Sequence, residues 1–396
     1  MKQDWEIKLL GEIASFSQGI QVGLEQHLTE PKDGYVRFIR IVDYTQNTDD
    51  IRYVPNPGEK YFVNEEDIVM VRYGTPGLIG RGKAGVIANN LFRIKIERKD
   101  LTNDYLSLFL SQDEIQNYLS TQGSATMPAL NFGHLKTVAI KFPPPSEQQR
   151  IVSIIDKTFA AINKAKANAE QNLKNAKELF ESYLQSVFEN KGDDWEEKRI
   201  NEVCDLKSGT TISPSLERNE GDVLYTKVAD MNLPQNLVEI HTSSRFVFSK
   251  EINKNQIIPE GAIIFPKRGG AIATNKKRKI IKPTIVDLNT MAIVPGKKIN
   301  KDYFFHWFQL FDLNSISNGA NIPQINYYSF DEVYIPYPVS LKEQQTIVKK
   351  LDALSAETKK LENIYQNKIE DLEELKKSIL QKAFSGELNT SKEISV

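Results

Sequence analysis

The residues with the greatest chemical potential form a glycine-rich stretch, Gly80-Arg81-Gly82-Lys83-Ala84-Gly85, which fits G-x-G-x-x-G. Gly77 to Lys83 also fits most of a phosphate-binding loop. Two features argue against nucleotide chemistry. Ala84 stands where a Ser or Thr hydroxyl should ligate magnesium, and both motifs need a following helix whose amino end faces the phosphates. The next residues, Val86-Ile87-Ala88-Asn89-Asn90-Leu91-Phe92-Arg93-Ile94, read as a strand, so the stretch is read as a glycine-rich turn. His27, His134, His241 and His306 are scattered, with no HxH or HxxxH pair, and no metal site is expected. The single cysteine, Cys204, reads as a small buried hydrophobe. Asn56-Pro57-Gly58 is not the Asn-Pro-Pro-aromatic motif of an adenine methyltransferase. No catalytic residues are assigned.

Basic side chains carry more information. From Asp67 to Glu97 no acid intervenes, while Arg72, Arg81, Lys83, Arg93 and Lys95 are present. From Glu260 to Asp287 there is again none, with Lys267, Arg268, Lys276, Lys277, Arg278, Lys279 and Lys282. Each window follows an expected strand and contains glycines. Such loops suit a DNA surface, where Arg and Lys contact phosphates and guanine edges. The candidate DNA-binding residues are Arg72, Tyr73, Arg81, Lys83, Lys267, Arg268, Lys276, Lys277, Arg278 and Lys279. A solvated charged loop is the bland alternative for either window. With a formal net charge of −1, any DNA-binding charge must be segregated onto one face.

The windows correspond because the chain is written twice. Trp5-Glu6-Ile7-Lys8 returns as Trp195-Glu196-Glu197-Lys198, and Gly19 as Gly209. Pro128 and Asn131 return as Pro323 and Asn326, Glu147-Gln148-Gln149 as Glu343-Gln344-Gln345, and Leu184-Gln185 with Phe188 as Leu380-Gln381 with Phe384. The offset stays between 190 and 196 residues. Each half opens with a mixed region: Phe92, Ile94 and Ile96 alternate at strand spacing, and short helices begin near Asn103 and Asn300. A proline-marked boundary comes next, and then a long helix. Ser146 with Gln149, and Ser340 with Glu343, fit capping boxes at the helix starts.

Leu351, Leu354, Thr358, Leu361, Tyr365, Lys368, Leu372, Leu375 and Ile379 step 3,4,3,4, the 3.5-residue period of a coiled coil. Phe159, Ile162, Lys166, Ala169, Leu173, Ala176, Phe180, Leu184 and Val187 run nearly the same way. Seams this narrow need a partner. An intramolecular pair is preferred to two helices lying on their own domains, because segments of ~40 residues are longer than one domain can cover. The resulting fold class is α+β: two pseudo-repeated α/β domains separated by two long helices that form an antiparallel intramolecular coiled coil. The expected segments are a first domain (1–145), a first long helix (146–191), a second domain (192–339), a second long helix (340–386) and a flexible tail (387–396). No signal-peptide apolar region opens the chain and no apolar run is long enough to span a membrane, so a cytoplasmic protein is expected.

Over essentially its whole length the sequence resembles the specificity subunits of type I restriction-modification systems. The resemblance rests on Phe142-Pro143-Pro144-Pro145-Ser146-Glu147-Gln148-Gln149, on Tyr337-Pro338 through Glu343-Gln344-Gln345-Thr346-Ile347-Val348, on the ending Leu375 to Leu388 and on the two Trp-Glu-x-Lys openings. Glu189-Asn190-Lys191-Gly192 departs from the usual Ser-Gly ending of the first helix. The resemblance implies that each domain is a target-recognition domain reading one half of a bipartite, asymmetric double-stranded DNA site, and that the helices set the spacing. Two modification subunits would methylate one adenine per half-site with S-adenosylmethionine. Restriction subunits would join with ATP and Mg. This chain would be non-catalytic and carry no cofactor. The readings of another class are a coiled-coil adaptor with two domains that do not bind DNA, and a bifunctional enzyme with duplicated domains.

Overall fold

The computed structural model describes residues 5–46, 49–121, 129–319 and 321–387. Pro128 and residues 388–396 of the expected tail lie outside them. The helices that matter for the site are α1 (Asn103–Leu110), α2 (Pro145–Glu189), α3 (Lys301–Leu310) and α4 (Leu341–Ser385). Both α2 and α4 have 45 residues, or ~68 Å at 1.5 Å per residue. Two compact units divide the chain through the middle of both long helices: Met1–Glu170 with Gln366–Val396, and Gln171–Tyr365.

In the first unit, strands Ala14–Gln18, Leu91–Ile96, Ile68–Val71 and Ile79–Gly80 form an antiparallel sheet in that order. The alternation of Leu91–Ile96 sends Phe92 and Ile94 into the main core, while Ile68–Val71 is buried on both faces. A second sheet orders Arg52–Pro55, Tyr35–Ile39, Gly85–Ile87 and Phe62–Val63. The glycine-rich stretch joins the two sheets and is followed by the strand Gly85–Ile87 rather than by a helix. Glu6–Leu9 pairs with Ala139–Phe142, bringing the opening Trp-Glu-x-Lys beside the proline boundary.

The second unit repeats this plan. Cys204–Ser208, Thr290–Pro295, Ile263–Pro266, Arg278–Ile280 and Glu239–Ile240 form one sheet, and Phe246–Val247, Val223–Thr226 and Thr284–Val286 another. Trp195–Arg199 pairs with Tyr334–Pro338. The recurrence of Gly19 and Gly209 has a steric cause: a Cβ would stand 2.1 Å from the Ile87 carbonyl oxygen in one half and 1.8 Å from that of Asp287 in the other. Cys204 is buried in this core, and burial pushes its thiol up to about 12.

Each unit contains the start of one long helix and the end of the other, running antiparallel. In the first, Ile151 and Ile155 share a core with Leu380, Ala383 and Phe384, and Lys376 Nζ lies 4.9 Å over the Phe159 ring. In the second, Leu184 and Phe188 share a core with Val348 and Leu351. Ile162 is buried, and Phe159, Leu173, Phe180, Leu354, Leu372 and Ile379 are half-buried, as a seam requires. Leu361 and Leu375 are corrections to the expected seam: they stand 37% and 46% exposed. The covered side of α4 runs through Val348, Leu351, Ser355, Thr358, Glu362, Tyr365, Ile369, Leu372, Lys376 and Ile379, so it keeps the 3.5-residue spacing, with the alternate position one residue later than expected. The first capping box is also corrected. α2 begins at Pro145, one residue before Ser146, because proline's fixed φ and missing N–H suit the first helical position. Ser340 directly precedes α4, its carbonyl accepting from the Glu343 and Gln344 N–H groups at 3.0 and 3.1 Å.

Candidate nucleic-acid interface

The central strands Ile68–Val71 and Ile263–Pro266 both run out into a cation-bearing dipeptide, Arg72-Tyr73 in one and Lys267-Arg268 in the other. Backbone hydrogen bonds make the two pairs equivalent. The Arg72 N–H donates to the Asn90 carbonyl and that of Lys267 to the Asn289 carbonyl, both at 2.8 Å. The carbonyls of Arg72 and Lys267 accept from Leu130 and Ile325, both at 2.9 Å. Tyr73 and Arg268 then bridge to Ala129 and Gln324. The backbone is thus pinned on both sides and the side chains leave from the same place in each unit.

Around Arg72 the surface is rich in amides. Its guanidinium lies 5.9 Å from the ring centres of Tyr73 and Phe92, and its Nε finds no partner among the described residues. The Tyr73 hydroxyl donates to Asn89 Oδ1 at 3.2 Å, and Gln18 Nε2 donates to the Asn89 carbonyl at 2.8 Å. Around Lys267 the surface is cationic and aromatic. Lys267 Nζ donates to the Ser208 hydroxyl, and burial with Arg268 nearby lowers its pKa. Arg268 is exposed. Tyr327, whose hydroxyl accepts from the Ser208 N–H at 2.9 Å, and Tyr328 are 52% and 66% exposed. Guanidinium, ammonium, amide and phenol groups on a rigid strand end are the set that contacts phosphates and base edges. Gln18, Asn89, Ser208, Tyr327 and Tyr328 were not among the sequence candidates. The one signal for the tyrosines was an aromatic doublet after the repeated asparagine, Asn326.

The other basic candidates lie elsewhere. Arg81 is ion-paired with Asp104 in the first turn of α1, and its Nη2 donates to the Glu66 carbonyl at 3.3 Å. Lys279, in the corresponding place, sits 3.0 Å from Asp302 in the first turn of α3 and 2.9 Å from Glu239. Burial alone would lower the Lys279 pKa; the two carboxylates outweigh it and raise it. Lys277 is 2% exposed, its Nζ donating to the carbonyls of Phe311 and Gln309, and burial drops it to about 8. Buried Arg278 donates to the Met231 carbonyl through Nε at 3.3 Å and Nη2 at 3.1 Å. Lys276 reaches Asn232 Oδ1, and Lys83 lies 5.9 Å over the Tyr44 ring. Arg93, in the same window, is bound to Asp67 at 3.1 Å. The structure therefore does not bring the ten candidates to one surface. Lys277 and Arg278 face the interior, and Arg81 and Lys279 brace the short helices.

No group of three or more His, Cys, Asp or Glu that could hold a metal occurs among the described residues. None of the helices among those residues is long and apolar enough to cross a membrane.

Comparison with known proteins gives a consistent answer. The family model described as "Type I restriction modification DNA specificity domain" matches twice, over residues 2–172 and 192–371. The specificity subunit of the type I restriction enzyme MjaVIII from Methanocaldococcus jannaschii is 25% identical, with 98% of this chain and 93% of that protein covered. The EcoKI specificity subunit of Escherichia coli K12 is 21% identical over 98% of this chain and 90% of its own. Among solved structures, the HsdS subunit from Thermoanaerobacter tengcongensis superposes with a TM-score of 0.63 at 18% identity, covering 98% of each chain. A chain from a study of complex assembly and conformational transition in the type I R-M system reaches 0.79 at 18% identity, covering 98% of this chain and 99% of that one. These two structural likenesses bear on the fold alone.

Proposed function

The chain belongs to the type I restriction-modification DNA specificity family, and from that premise we propose that its two domains each read one half of a bipartite, asymmetric site on double-stranded DNA. The observation that carries this reading is the pair of equivalent strand ends, Arg72-Tyr73 and Lys267-Arg268, identical in backbone bonding and different in chemistry. Equivalent placement suits two domains that approach DNA alike. Different side chains suit two different half-sites.

In this reading the paired helices set the length of the spacer and dock two modification subunits, and restriction subunits join the assembly in the cytoplasm. S-adenosylmethionine, ATP and Mg belong to those partners. The chain itself is non-catalytic; it orients DNA by phosphate and base-edge contacts.

Arg72→Ala and Arg268→Ala test the reading. Each should weaken binding to the mapped site. Each should also flatten the dependence of log K on log[salt], by about 0.9 for every phosphate no longer neutralised. Arg72→Ala should relax selectivity in one half-site and Arg268→Ala in the other. Unchanged affinity and slope in both variants would leave these strand ends as ordinary surface.

A further inference from the structure

Gln148 and Gln344 hold the same position in the repeat, one turn inside α2 and α4, and both are wholly buried. Gln148 Oε1 accepts from the backbone N–H of Thr102 at 2.9 Å and from its hydroxyl at 3.2 Å. Its Nε2 donates to the carbonyls of Asp100 and Pro143, both at 2.7 Å. Gln344 Oε1 accepts from the backbone N–H of Asn300 at 2.7 Å. Its Nε2 donates to the carbonyls of Lys298 at 3.0 Å and Pro338 at 2.8 Å. Three partners recur: the N–H of the residue capping the short helix, the carbonyl two residues earlier, and the carbonyl where the last strand runs out toward the long helix.

All three recurring partners are main-chain atoms. The residues supplying them differ, Asp100 against Lys298 and Thr102 against Asn300, without disturbing the arrangement. A carboxamide offers two donors and two acceptor positions, and here both ends are occupied, tying three chain segments to one helix. Apolar contacts alone would let the helix roll or tilt on the domain at little cost, because they carry no direction. Hydrogen bonds of fixed direction oppose this, and a satisfied buried polar group specifies one arrangement. The lever is long: over ~68 Å, a tilt of about 3° moves the far end of a helix by ~3.4 Å, one base-pair step.

Resting on the proposed function, we infer that Gln148 and Gln344 are positioning residues that lock each long helix to its recognition domain and so hold the spacer between half-sites to one length. The test uses the full chain co-expressed with its modification subunit, with methylated bases mapped across the host genome. Gln148→Met and Gln344→Met keep the side-chain volume and remove the hydrogen bonds. The double variant should keep both half-site sequences. Its occupancy of sites one base pair longer or shorter, relative to the native spacer, should rise about tenfold, the scale of one net hydrogen bond. Should the double variant not accumulate in folded form, each single variant retains the other clamp and carries the same criterion. A lowered melting temperature with an unchanged spacer distribution would make the glutamines structural only and overturn the inference. A wild-type map without a two-part motif would instead remove the reading on which it rests.

Discussion

The strand that follows Arg72-Tyr73 in the first unit and Lys267-Arg268 in the second is filled differently in the two units. In the first unit Ile79 and Gly80 pair with Met70 and Val69; in the second, Arg278 pairs with Ile264 at the place of Gly80, and Lys277 precedes it at the place of Ile79. Ile79 packs on the core, whereas Lys277 puts a cation against carbonyls. Tyr44 lies over Gly80, whereas Met231, at the equivalent position, offers its carbonyl to Arg278. That equivalence comes from the preceding aspartates, Asp43 and Asp230, each accepting at 2.8 Å from the backbone N–H three residues back. One residue further on, the units agree again: Arg81 and Lys279 both brace the aspartate that opens the short helix. Part of the duplicated positive charge is therefore structural, and the difference lies in how each unit fills the space beside the strand.

The sharpest way to break this comparison is to exchange its parts. A Cβ on Gly80 would stand 2.6 Å from the Tyr44 ring, so Gly80→Ala should cost about 1–3 kcal/mol by overpacking. Tyr44→Met, copying the second unit, should recover most of that loss in the double variant. Arg278→Ala should cost a similar ~1–3 kcal/mol, because it strands a buried carbonyl. Denaturant unfolding of the four combinations at Gly80 and Tyr44 measures the coupling. Additive losses would mean that the two positions do not share one space.

The pH dependence of stability separates the units next. Burial holds Lys277 at about 8 in the folded chain, below the ~10.4 of an unfolded lysine. Between those values the unfolded chain binds a proton that the folded chain has released, so this group makes stability rise as pH goes from about 8 to about 10.4. Each unit of pKa difference is worth ~1.4 kcal/mol, so the gain is on the order of 1–3 kcal/mol. Lys279 has the opposite sign: its raised pKa gives a contribution present below the unfolded value and lost only as pH climbs through the folded one. Lys277→Met should flatten the rise between pH ~8 and ~10, read as the variant's unfolding midpoint against that of the parent. A parallel profile in the variant would locate the titration elsewhere.

How far the sequence could take this depended on what each signal averages over. Order and spacing across the repeat survive any local exchange, so the duplication, the two long helices and their pairing were legible. A lysine is written the same way whether it faces water, as a charged loop would, or a pair of carbonyls, as Lys277 does. Only the chain folding back through Gln309 and Phe311, more than 30 residues away, decides between them. The same holds for Gly80 and Arg278, whose residue types are set by Tyr44 and Met231 across the fold. Arg72 and Lys267 could be singled out from sequence because they abut a recognisable strand. Their amide and tyrosine neighbours come from segments remote in sequence.

The helix seam gives the smallest effects and the finest test. A heptad seam alternates steps of three and four residues, and which step comes first decides which of two neighbouring residues is covered. In α4 the heptad positions Leu351, Thr358, Tyr365, Leu372 and Ile379 all stay covered, whereas Leu361 and Leu375 stand 37% and 46% exposed because the alternate position falls one residue later, at Glu362 and Lys376. The neighbouring residue Lys376, rather than Leu375, lies against Phe159. Leu361→Gln and Leu375→Gln should therefore each change stability by less than ~0.5 kcal/mol, as substitutions on an open surface do. Leu351→Ala and Ile162→Ala, one in each unit, should cost ~2–4 kcal/mol through reduced burial and the cavity left behind. Equilibrium unfolding of the four single variants reads the contrast directly. A loss at Leu361 or Leu375 comparable to that at Leu351 would mean that the seam runs through these leucines rather than through the residues that follow them. Either way the seam repeats every seven residues, so it keeps its phase when one heptad, ~10 Å of helix, is added to both helices.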